Sequence, residues 1–73
     1  MTVDQEKELI KIINKVILDN KEIVLEYRNG KRGLIGTIMK KIIKESTISF
    51  YSKSSKQKLV YNLKKNMNET KIS

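Results

Sequence analysis

Residues 34–45, LIGTIMKKIIKE, decide the fold. Leu34, Ile35, Ile38, Met39, Ile42 and Ile43 recur at helical spacing and would line one helix face. Read as a strand, the same residues fall on both faces, which suits a bent strand buried on one side and touching a neighbour on the other. Gly33 and Gly36 weigh against a helix start here, at about 1 kcal/mol each relative to Ala. Glycines also mark sharp strand bends, and Lys44-Glu45-Ser46 then reads as a hairpin turn. The strand reading is preferred, with the helix as its alternative.

Upstream, the spacing predicts a helix over residues 3–19. Leu9, Ile10, Ile12, Ile13, Val16 and Ile17 form its apolar face, opposite Lys7, Glu8, Lys11, Asn14 and Lys15. Thr2 and Gln5 have the spacing of a capping box, with Asp4 as the alternative cap, and Asn20 suits a left-handed helix exit. The apolar arc is wide for one small core, which predicts a dimer or a ring. From Glu22 the period becomes two: Ile23, Leu25 and Tyr27 alternate with polar and apolar neighbours and run into Asn29-Gly30, a hairpin signal. Downstream, Thr47–Tyr51 reads as a strand, Ser52–Lys56 as a polar turn, and Gln57–Leu63 as a strand with Leu59, Tyr61 and Leu63 on one face.

These readings give one domain over residues 1–65, with a helix at 3–19 and a β-rich part at 22–63, followed by a polar tail at 66–73. The fold class is α+β, mainly β: an N-terminal helix on a small bent antiparallel sheet or small barrel. The expected inward set is Leu9, Ile13, Val16, Ile17, Ile23, Leu25, Ile38, Ile48, Phe50, Leu59, Tyr61 and Leu63. If residues 34–45 are helical instead, the order α-β-α-β-β resembles a truncated winged helix with residues 52–56 as its wing.

A chain of 73 residues has a thin core and no Cys or His with which to build a disulfide or a zinc site. Self-association is the stabilising route left. The start of the chain lacks the pattern of a secretory signal, and the Leu9–Leu18 stretch is too short and too charged to span a bilayer. The expectation is a cytoplasmic protein; its Lys, Ile and Asn richness reflects an AT-rich genome.

Charge carries the functional reading. Residues 1–26 hold four Lys against six acids, a net of −2, whereas residues 27–73 hold twelve Lys or Arg against Glu45 and Glu69, a net of +10. A basic half of this density attracts phosphate backbones. Catalysis is not expected: there is no His base, no Cys nucleophile, no phosphate loop, and no base to activate any Ser or Thr. No cofactor or metal is expected either. The candidate nucleic-acid-binding residues are Arg28, Lys31 and Arg32 at the first turn, Lys40, Lys41 and Lys44 at the second, and Lys53, Lys56 and Lys58 at the third. Tyr51 is added as a base-stacking aromatic. The expected function is a small basic protein binding RNA or single-stranded DNA mainly through phosphates. The alternative is a regulatory or phage-type module that binds and inhibits a host protein. Membrane binding is disfavoured because the N-terminal helix is net acidic.

Asn29-Gly30, Gly36-Thr37-Ile38 and Lys56-Gln57-Lys58-Leu59-Val60-Tyr61-Asn62, after an N-terminal helix, resemble the Sm-like small barrel of the Hfq type. That resemblance implies a ring-shaped, RNA-binding oligomer. Asn62-Leu63 replaces the family's Lys-His, and Ser46 falls where the family stacks uridine on an aromatic, so an intact uridine pocket is not implied. The run from Ile13 to Val16, then Asn20 to Tyr27 and a Gly-x-Ile segment, also resembles the YolD-like family of phage and low-GC bacteria. That family, too, implies a helix before a small β-domain.

Overall fold

The computed structural model describes residues 2–46 and 52–72. Among the described residues there are four helices and no strand: α1 (Val3–Asp19), α2 (Lys21–Arg28), α3 (Leu34–Glu45) and α4 (Lys53–Glu69). The α+β, mainly β reading is corrected to all-α. An Sm-like or SH3-like barrel, and equally a YolD-like β-domain, needs strands where α2, α3 and α4 stand. The truncated winged helix fails on the same ground, although its helix over 34–45 is present. The strand read at 47–51 lies outside the described residues.

α1 begins with a reciprocal cap. The Thr2 hydroxyl accepts from the Gln5 amide at 3.2 Å, and the Thr2 amide donates to Gln5 Oε1 at 3.0 Å. Two donors that the helix cannot satisfy internally are thereby paired. Its other end is not the expected left-handed exit, because Asn20 has φ −132°. Asn20 instead donates its side-chain amide to the Val16 carbonyl at 2.8 Å, while its own carbonyl accepts from Val24 at 3.1 Å and opens α2. One residue serves both helices.

α2 stands where the period of two predicts a strand from Glu22. The helix buries Val24 and Tyr27, three apart, and leaves Leu25 43% exposed. Asn29-Gly30 closes this helix and makes no hairpin. The Lys31 amide donates to Glu26 and the Gly30 amide to Tyr27, at 3.0 and 3.1 Å, with Gly30 at φ +117°. This paired 6→1 and 5→2 pattern is the Schellman stop, which requires a residue that tolerates positive φ.

α3 starts on a tight turn, with amides of Leu34, Ile35 and Gly36 donating to carbonyls three residues back. Ile38 and Ile42 are fully buried, and Leu34, Ile35 and Met39 pack against them. Burying each isoleucine contributes about 1.5–3 kcal/mol, which outweighs glycine penalties of about 1 kcal/mol. An alanine Cβ at Gly36 would meet nothing within 4 Å, and the backbone there is helical. Gly36→Ala is therefore expected to stabilise the protein by about 0.5–1 kcal/mol. A thermal melt should move up by about 4–8 °C per kcal/mol; a melting point that falls would contradict the helical assignment.

α4 opens at Ser52, whose hydroxyl accepts from the Ser55 amide at 3.1 Å. Leu59, Leu63 and Met67, four apart, enter the core with no exposure. Asn62, Asn66 and Asn68 donate their side-chain amides back to carbonyls four residues earlier, at 2.8–2.9 Å, and so do not interrupt the helix. Residues 66–73 are thus not a polar tail throughout: Met67 is core, and Ile72 packs against it.

Every pair of helices is in contact. The Cα radius of gyration is 11.6 Å, against about 11 Å for a fully compact chain of this length, so the four helices enclose one core. Of the expected inward set, Leu9, Ile13, Val16, Ile17, Ile38, Leu59 and Leu63 are buried. Leu25 and Tyr61 are exposed and Ile23 is half-buried, because a helix does not keep alternate residues on one side. Val24, Tyr27, Ile42 and Met67 take their places; Ile48 and Phe50 lie outside the described residues. α1 touches all three other helices. The width of its apolar arc therefore no longer argues for a dimer or a ring.

Candidate polyanion-binding surface

The helices distribute the cations unevenly. α3 carries Lys40, Lys41 and Lys44 against Glu45, and α4 carries Lys53, Lys56, Lys58, Lys64 and Lys65 against Glu69, for nets of +2 and +4. Lys31, Arg32 and Lys71 add three positive charges outside the helices, whereas α1 is net −1 and α2 neutral. The apolar seams of α3 and α4 face the core, so their lysines emerge on the opposite sides, exposed except for half-buried Lys58. Three ion pairs occur among the described residues: Lys15–Glu45, Lys31–Glu26 and Lys58–Glu6, at 3.4, 3.9 and 3.1 Å. Lys40, Lys41, Lys44, Lys53, Lys56, Lys64 and Lys65 form none there.

The first predicted cluster is divided by the fold. Arg28 turns inward from the end of α2, and its guanidinium donates through Nε to the Met67 carbonyl and through a terminal nitrogen to that of Thr70. It holds the last turn of α4, where carbonyls lack helical partners. Arg32 stays exposed and lies over the Tyr27 ring, 4.7 Å from its centroid. Such a contact holds the guanidinium above the turn. Lys31 is exposed, with a long, solvent-facing contact to Glu26. Because Arg28 joins the two chain segments, the 29–33 turn lies at the end of the bundle where α4 finishes.

The second cluster is continuous along α3. Lys41 and Lys44 border a groove of about 400 Å³ between the C-terminal turns of α1 and α3, together with Val16, Asp19, Asn20 and Glu45. This groove mixes carboxylates with ammonium groups, and no three acids converge among the described residues to hold a metal ion. The third cluster occupies the first turns of α4, where Lys58 is tied to Glu6 while Lys53 and Lys56 are free of ion pairs among the described residues. Without strands among the described residues, the three clusters are not the turns of a sheet. Tyr51 lies outside the described residues. Lys64 and Lys65 are outside the three clusters expected from the sequence because they follow the expected strand at 57–63 and flank no expected turn; the continuation of α4 to Glu69 brings them onto the surface.

No protein-family model, no curated protein and no solved structure matches this chain. No helix among the described residues is long and apolar enough to cross a membrane.

Proposed function

We propose that this protein binds nucleic acid through the lysines of α3 and α4 and the cations of the 29–33 turn. The observation that supports the reading is the unpaired charge. Seven exposed lysines on α3 and α4 have no carboxylate partner among the described residues, and these two helices hold most of the net charge of +8. Ammonium groups left to solvent and counterions in this density bind phosphate backbones by releasing those counterions. Arg28 is a positioning residue in this proposal, because its guanidinium is engaged by α4. Arg32 remains the one guanidinium able to meet a phosphate with two hydrogen bonds. A cytoplasmic location accords with such a partner.

With about four to six phosphates engaged, log affinity against log salt should slope at about −3 to −5 on a single strand, at roughly −0.7 per contact. Replacing Lys40, Lys41 and Lys44 together with Ala should flatten that slope by about two units and weaken all sequences alike. Fluorescence anisotropy across a salt series measures both. Nuclease-treated protein that shows no salt-sensitive binding to RNA, single-stranded DNA or duplex would overturn the proposal and leave a protein partner as the reading to test.

A further inference from the structure

We infer that the outward face of α4 around Tyr61 is a stacking platform for an unpaired base, an inference that rests on the nucleic-acid reading above and specifies the strand it takes. Tyr61 is 67% exposed, whereas Tyr27 is buried at 4% under the Arg32 guanidinium. At about 100° per residue, Leu59 and Leu63 each point about 160° away from Tyr61 around the helix axis. The ring therefore stands nearly opposite the core seam and has no packing role.

Its surroundings define the partner. One turn away in each direction lie Gln57 and Lys58, then Lys64 and Lys65. Helical side chains lean toward the N-terminus, so Lys64 and Lys65 cover the patch beside the ring, and neither forms an ion pair among the described residues. Lys58 is held toward Glu6 at 3.1 Å, which draws it off the platform. An apolar peptide or a lipid surface would need further apolar residues beside Tyr61, and the adjacent positions are Ser54, Gln57, Lys58, Lys64, Lys65 and Asn68. A flat aromatic flanked by free ammonium groups fits a base with its phosphates. Bases inside a duplex are already stacked on both faces, so the platform takes a single strand.

The experiment compares the full chain with Tyr61→Ala and Tyr61→Phe, using labelled single-stranded DNA and RNA, a duplex of equal length, and an abasic single strand with the same phosphates. Tyr61→Ala should weaken single-strand binding on the order of 5- to 100-fold. It should leave the duplex and the abasic strand within about twofold, while Tyr61→Phe retains wild-type affinity because the π-face is kept. The position is exposed, so circular dichroism and melting should be unchanged. Equal losses on base-bearing and abasic strands, or no loss on any strand while the wild type binds, would overturn the platform and leave the basic surface standing. Wild-type protein that binds none of the four ligands at low salt would overturn both.

Discussion

Leu63→Ala should destabilise the protein by about 2–5 kcal/mol, while Tyr61→Ala should change its stability by less than about 0.5 kcal/mol. Urea unfolding followed by circular dichroism measures both. The two residues are neighbours but one, and a strand would place them on the same face with Leu59. In the helix, Leu63 is fully buried beside Leu59 and Met67, and Tyr61 is in water. A domain of 73 residues has a total stability of about 4–11 kcal/mol. The Leu63 variant would then keep between about −1 and +9 kcal/mol, so its urea midpoint should fall clearly, with unfolding at the low end of that range. Similar losses at both positions would mean that residues 57–63 are not helical.

Arg28→Ala should cost about 2–4 kcal/mol, from the loss of two hydrogen bonds donated by a charged group to backbone carbonyls. Removing the side chain leaves the Met67 and Thr70 carbonyls without this partner at a half-buried position. Amide hydrogen exchange should quicken selectively over residues 66–72, because the last turn of α4 and the segment bearing Ile72 are the parts it holds. Arg28→Lys should recover less than half of the loss, since a single ammonium cannot span two carbonyls as the planar fork does. Uniform exchange across all four helices, or full recovery by Lys, would show that the clamp is not what holds this segment.

The residues that were legible and those that were not differ in how many levels of structure agreed. In α1 the period and the cap both indicate a helix over the same span, and no strand pattern competes. In α2 the eight residues fit both periods. The strand reading rests on the period of two and on Asn29-Gly30 as a hairpin turn, but a hairpin turn and a Schellman stop demand the same thing of the chain, a residue at positive φ. In α3 the glycines oppose the helix only as a local propensity, whereas two buried isoleucines favour it through tertiary contacts. In α4 the alternation Leu59, Tyr61, Leu63 spans only residues 57–63, and the third core residue, Met67, lies beyond it. For the surface, the concentration of charge in the second part of the chain was readable from composition. The diversion of Arg28 was not, since its partners lie 39 and 42 residues away. Nor was the pairing of Lys58 with Glu6, 52 residues apart.

The single residue between α1 and α2 has a consequence for how such chains vary in length. Asn20 ends one helix and begins the next, so the joint contains no slack. One added residue would turn α2 by about 100° about its own axis and carry Val24 and Tyr27 out of the core they share with α1. The interval from Ile17 to Val24 is therefore a fixed phase relation, as strict as the register of paired strands. Residues 29–33 are all exposed, and after the Schellman stop they carry the chain over to α3. Natural variants of this bundle should accumulate insertions and deletions in that second connection and almost none at the first.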